Sequence, residues 1–166
     1  IQTICDSVEC AQRAFDVVKA SLRPEQTEKQ VADLIEAQVR LFGGDCTSFA
    51  PIVAVGPQAA LPHARPGAAK LAADDFVLLP WGARFHGYAS DLTRILVTGK
   101  ISPKLQKVYG VVANAQSRAI AAIRHGASMK DVDAAARGFI SKSGFGKQFG
   151  HGLGHGIGLQ IHESPR

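Results

Sequence analysis

The chain has 166 residues, of which 46% are hydrophobic and 20% charged, the balance of a folded core and not of a disordered segment. No apolar run approaches the roughly twenty residues of a bilayer span, and Ile1-Gln2-Thr3 lacks the basic-then-apolar order of a secretory signal, so no membrane partner is expected. The formal charge is +5, but Lys and Arg are scattered singly, so a nucleic-acid footprint is not expected.

Ile4, Val8, Ala11, Phe15 and Val18 recur at three and four, which predicts an amphipathic helix from about Gln2 to Leu22, closed by Pro24. Thr27 with Gln30 has the form of a capping box, and Val31, Leu34, Ile35 and Phe42 continue a second helix to Gly43-Gly44. Residues Phe49 to Val55 are apolar and β-branched and predict a strand that Gly56-Pro57 ends, followed by a loop from Gln58 to Ala69 that carries Pro62-His63. Phe76 to Leu79 and Ala89 to Val97 flank Phe85-His86-Gly87 and predict a long hairpin. Ser102-Pro103 opens a third helix with Leu105, Val108, Val112, Ala115, Ala119 and Ile123 on one face. Ser128 caps a fourth, with Val132, Ala135, Ala136 and Phe139 inward, until Gly144.

Leu22-Arg23, Thr27, Lys29 and Val31 match Ile123-Arg124, Ser128, Lys130 and Val132 at a constant offset of 101, and Gly43 falls on Gly144. This predicts a duplicated helix–turn–helix unit, a first half of about residues 1–100 and a second of about 101–166, the second with fewer strands than the first. Cys5, Cys10 and Cys46 show no metal-ligand spacing; together they fit a reduced, cytoplasmic protein. The absence of an initiator Met suggests that sequence has been removed before Ile1.

The run Gly150 to Glu163 holds three of the six histidines and five glycines, a density that packing does not explain, because glycine gives a core no side chain and costs conformational entropy. Neutral imidazole is both the usual physiological acid/base and the commonest metal ligand. The alternation of Leu159 and Ile161 with Gln160 and His162 predicts a half-buried strand after a tight loop. His86 in the predicted turn is expected to be solvated, His125 to end a helix without chemistry, and Trp81 and Tyr88 to pack.

Phe49-Ala50-Pro51-Ile52-Val53-Ala54-Val55-Gly56, then Leu61-Pro62-His63, then Ser90-Asp91-Leu92-Thr93-Arg94, then the His-Gly run to His162-Glu163-Ser164-Pro165 resemble, in order and spacing, the peptidases that include prolidase, Xaa-Pro aminopeptidase, methionine aminopeptidase and creatinase. The resemblance covers about Val8 to Pro165 and favours the prolidase and Xaa-Pro aminopeptidase branch. It implies an α/β pita-bread fold of two pseudo-symmetric halves, the second incomplete here. It also implies two divalent ions (Mn, Co or Zn) and a short proline-containing peptide as substrate. Asp91 matches the family's bridging metal ligand and His155 its histidine ligand. His63, His151 and His162 match histidines that bind substrate or stabilise the tetrahedral intermediate.

Pro80 departs from that pattern. It stands where the family has its first metal-binding Asp, in Pro80-Trp81-Gly82-Ala83, and the hairpin arithmetic puts position 80 roughly opposite Asp91. The two family Glu ligands find no counterpart. Weak or absent metal binding by this chain alone is therefore expected, with no activity of its own, together with self-association or a companion C-terminal segment. Two other readings stay open at this point: a metal-independent creatinase-like hydrolase with His63 as acid/base, and a non-catalytic peptide-binding module.

Overall fold

Two helices open the chain in the computed structural model, which describes residues 1–165: α1 (Gln2–Ser21) and α2 (Glu28–Leu41). The capping box forms as its sequence requires. Thr27 Oγ1 accepts from the Gln30 N–H, and Gln30 Oε1 accepts from the Thr27 N–H, so two donors at the start of α2 are satisfied reciprocally. The inward face of α1 is mostly small (Ser7, Cys10, Ala11, Ala14), which lets a sheet approach its backbone closely. Cys10 is buried there and Cys5 exposed; burial pushes the Cys10 thiol up.

The strands are β1 (Cys46–Thr47), β2 (Ala54–Val55), β3 (Phe76–Trp81), β4 (Ala83–Phe85), β5 (Tyr88–Ala89) and β6 (Leu92–Val97). All pairs are antiparallel, in two three-stranded sheets ordered β1-β4-β5 and β2-β3-β6. Along β3 alternate residues are buried, and Val77, Leu79 and Trp81 face the helices. Trp81 stacks on Phe15 with centroids 4.5 Å apart and donates its Nε1–H to the Ala11 carbonyl at 3.0 Å. Burying that indole is worth about 2–3 kcal/mol.

The hairpin turns at His86-Gly87, both with positive φ (46° and 81°), as a two-residue turn between twisted strands requires. His86 is exposed there. The strand expected over Phe49–Val55 shrinks to two paired residues, because Pro51 has no N–H to give a ladder, and Ile52 makes a single bond to the Pro80 carbonyl (2.9 Å).

Helices α3 (Pro103–Ala122) and α4 (Met129–Lys142) repeat the first pair. Gln2 and Pro103, Ser21 and Ala122, Glu28 and Met129, and Leu41 and Lys142 are each 101 apart, and Gly43 and Gly144 have φ of 91° and 90°. Ser102 and Ser128 cap their helices through Leu105 N and Asp131 N. The inward face of α3 differs from the expected one. Ala115 and Ala119 are buried with Val111 and Ala122 beside them, whereas Val112 and Ile123 are exposed, because α4 seats its Val132, Ala136 and Ile140 on the small-residue ridge.

The chain divides into two compact units, Ile1–Lys100 with Ile157–His162, and Ile101–Gly156 with the residues from Glu163 on. The strand expected over Leu159–His162 does not form. Gly158 N–H turns back to Gln160 O at 3.0 Å, a local bend that removes the donor a ladder would need, and Leu159 is exposed. Among the described residues the stretch makes a bridge between Gly156 and Glu163, and β5 reaches it with one bond, Ala89 N–H to Gly158 O at 2.8 Å.

Candidate functional site

Asp91 is set by the residue before it. Ser90 is fully buried: its Oγ accepts from Ala83 N–H (3.0 Å) and donates to Ser7 O (3.2 Å), its N–H donates to Ala83 O (2.9 Å), and its carbonyl accepts from Ser48 Oγ (2.7 Å). Gly82 is obligatory opposite this knot, since a Cβ there would lie 1.8 Å from the Ser90 carbonyl oxygen. Asp91 follows at the surface, with its backbone fixed on both sides.

The register corrects the placement of Pro80. It pairs with Thr93 and not with Asp91, and by strand alternation Asp91 is the next residue on the same face, a diagonal neighbour at about 7–8 Å between Cα atoms. Proline costs less here than a strand interior suggests. Its carbonyl accepts from Ile52, so its nitrogen also points away from β6, and no β3–β6 hydrogen bond is lost.

His63 sits exposed in a turn after the 3₁₀ segment Gly56–Ala60, and the base of its loop is pinned by one buried carboxylate. Glu28, 3% exposed at the start of α2, accepts from Val55 N–H through Oε1 and from Gly67 N–H through Oε2, both at 2.8 Å. Glu28 N–H and Lys29 N–H return bonds to Ala69 O and Gly67 O. A carboxylate in the first turn of a helix is electrostatically favoured, and here it also closes a loop.

In the second unit His151 Nδ1 lies 2.8 Å from Gly152 O and His155 Nδ1 2.9 Å from Gly156 O. A carbonyl only accepts, so each Nδ1 is a donor, and in the neutral form of such a ring the lone pair lies on Nε2, the tautomer that a metal or a donor group needs. His162 is exposed in the first unit. The glycines of this run are steadied from α4. Arg137 binds Asp133 through Nε (2.6 Å) and Nη2 (2.8 Å), donates to Phe149 O (2.8 Å) and His151 O (2.9 Å), and lies over the Phe149 ring, while Asp133 accepts from Leu153 N–H (3.1 Å).

Asp91 belongs to the first unit and His155 to the second. Among the described residues no three His, Cys, Asp or Glu side chains converge as a metal site. A carboxylate and an imidazole suit a first-row ion by type, but two such donors do not complete the shells of two ions. Residue patterns did not disclose Glu28, Ser7, Ser48 or the Asp133–Arg137 pair; only the last left a signal, opposite charges four apart on a helix.

A family model, metallopeptidase family M24, matches residues 2–166. The chain belongs to metallopeptidase family M24. An uncharacterized peptidase of Staphylococcus saprophyticus is 40% identical to this M24 chain over 163 residues, 98% of the chain and 47% of the relative. An X-Pro aminopeptidase from Thermotoga maritima superposes with a TM-score of 0.95 at 36% identity, covering 99% of the M24 chain and 47% of that one. A prolidase from Pyrococcus furiosus does so at 0.95 and 34%, covering 99% and 49%. The fold is the pita-bread fold, with its duplicated helix pair, and the M24 chain spans about half the length of these relatives.

Proposed function

We propose that this M24 chain forms part of the catalytic domain of a peptidase that cleaves the bond preceding proline in short peptides, as an Xaa-Pro aminopeptidase or prolidase. The observation that carries this reading is the superposition, over both helix pairs and the hairpin, on an X-Pro aminopeptidase and a prolidase at TM-scores of 0.95. In this reading Asp91 and His155 are the metal-facing donors, and His63, His151 and His162 contact the substrate or the developing oxyanion. An imidazole N–H can donate to an oxygen as charge builds on it, the role such a group plays in acyl transfer. The two divalent ions common in the family would supply Lewis acidity. The donors present account for only part of their shells, so further ligands must come from elsewhere in the assembled enzyme, from continuing chain or from a second copy, and the segment alone is inactive. Three free cysteines accord with a cytoplasmic setting, and among the described residues no helix is long and apolar enough to cross a membrane.

The test is hydrolysis by the full native protein of Xaa-Pro dipeptides and of peptides with Xaa-Pro at the N-terminus, against Xaa-Ala counterparts. Release of the residue before proline is expected. Equal turnover of the alanine peptides, or cleavage of a C–N bond in a non-peptide guanidino substrate instead, overturns the reading.

A further inference from the structure

Phe149 and Leu153 pack on the α3–α4 core, but Gly150 and Gly152 between them give His151 no packed neighbour in the chain, yet the segment follows a defined path. Its polar fixed points come from one helix turn. Arg137 grips the carbonyls of Phe149 and His151, and its partner Asp133 grips the N–H of Leu153, so alternate residues on either side of His151 are tied to a single ion pair. The planar guanidinium supplies the fork that two carbonyls and a carboxylate require together, which an ammonium cannot offer in fixed geometry. Arg137's hydrogen bonds hold the Asp133 carboxyl below its usual range, desolvation opposing and the Leu153 N–H adding to the effect.

The internal repeat shows the same device at the same place. Position 36 of α2 is equivalent to position 137 of α4 by the offset of 101, and Glu36 likewise combines an ion pair four residues away, with Arg40, and a grip on chain further along, the N–H and hydroxyl of Thr47. The charge at the position is reversed, but each pair holds backbone groups of both kinds: Glu36 takes Thr47 N–H while Arg40 donates to Asp45 O (2.7 Å), and Arg137 donates to carbonyls while Asp133 takes Leu153 N–H. Each helix pair thus uses this position to fasten the segment that leaves it.

We propose that Arg137 and Asp133 are positioning residues for His151, holding the glycine-rich run so that the imidazole keeps its Nδ1–H on Gly152 O and presents Nε2 outward. This rests on the functional reading of His151 given above, but its test does not use activity. In ¹⁵N-labelled protein, Arg137→Gln should shift the His151 ring nitrogens toward the tautomer mixture of free imidazole and speed hydrogen exchange at Leu153 N–H on the order of tenfold or more, the worth of a charge-assisted bond. The amides of α3 and of the middle of α4 should be unchanged, which a general loss of stability would not produce. Arg137→Lys, which keeps the charge without the fork, should fail to restore the His151 tautomer. The exchange variant Asp133→Arg with Arg137→Asp should recover the helix ion pair and the melting temperature but not the Leu153 protection. Native tautomer and native Leu153 protection in Arg137→Gln overturn the proposal. If the clamp behaves as described and the native protein does not cleave Xaa-Pro bonds, the functional reading fails and this one stands.

Discussion

Pro80 stands opposite Thr93 across the β3–β6 ladder, and the next residue on that face is Asp91. A carboxylate at 80 would therefore meet Asp91 diagonally, within reach of ions that two carboxylates can share. With proline there, the chain is expected to bind Mn, Co or Zn no tighter than about micromolar. Pro80→Asp in the native protein should tighten Mn binding at least about tenfold in calorimetry, and Xaa-Pro hydrolysis should rise with it. Because the proline nitrogen faces away from β6, the substitution should leave the ladder intact. A stoichiometric nanomolar site on His155 in the unaltered chain, or two ions already bound with Pro80 in place, would show that position 80 is not a ligand position.

Glu28 closes the loop that carries His63, and both of its oxygens are occupied by backbone N–H groups. Glu28→Gln keeps the shape but turns one acceptor into a donor facing an N–H. The expected cost is about 2–3 kcal/mol, the penalty of a buried donor left unpaired. Denaturant melts would measure it, and hydrogen exchange should locate the loosening at residues 55–67. A cost below about 0.5 kcal/mol, the range of an ordinary surface change, would mean that the loop is held by other contacts.

Glu36 gives a pH prediction. Burial alone would raise its pKa, but the Thr47 hydroxyl and N–H and the Arg40 guanidinium outweigh it and the net shift is downward. A carboxyl with a folded pKa below its unfolded one contributes stability that is present above about pH 4 and is lost as pH falls through the folded value. Asp133 has the same sign. Between about pH 5 and pH 3 the melting temperature should fall less steeply in Glu36→Gln than in the unaltered protein. Parallel slopes would remove Glu36 as a source of the acid sensitivity.

What the sequence disclosed and what it hid divide along a physical line. Thr27 with Gln30, Ser102 with Pro103, and Ser128 are local signals, since a cap bonds to groups three residues away, and all four helices lie within a residue or two of where these cues put them. The repeat at 101 was legible for the same reason. The pairing of Pro80 was off by two residues because register depends on where the turn centres: facing positions 80 and 91 require a turn centred on Phe85-His86, and it sits one residue later, at His86-Gly87. The alternation after Gly158 could not say that, among the described residues, β5 meets this stretch with one bond at Gly158 and no ladder follows. Glu28 and Ser90 read as polar residues of a first turn and a strand; that both are buried is fixed by contacts 27 to 83 residues away. Long-range burial leaves little trace in local pattern.

The exposed face of α3 supports a last prediction. Tyr109, Val112, Ile120 and Ile123 recur at helical spacing and are 54–66% exposed, and Ile120 and Ile123 line a groove with Met129 and Leu153. Their equivalents 101 residues earlier run along α1, where Ala11, the counterpart of Val112, is fully buried beneath Trp81 of β3. In the first copy the stripe is partly covered, Ala11 buried and Val8 and Leu22 half-buried, and the counterpart of Ile120 is the exposed Lys19; in the second copy all four positions are apolar and face solvent, an area that drives association. The isolated chain is accordingly expected to self-associate, with a light-scattering mass above that of the 17.6 kDa monomer. Val112→Lys with Ile120→Lys should return it to monomer while leaving the circular dichroism of the four helices unchanged. A monodisperse, cooperatively melting monomer of the unaltered chain would show that water tolerates this face, and the double substitution would then change nothing.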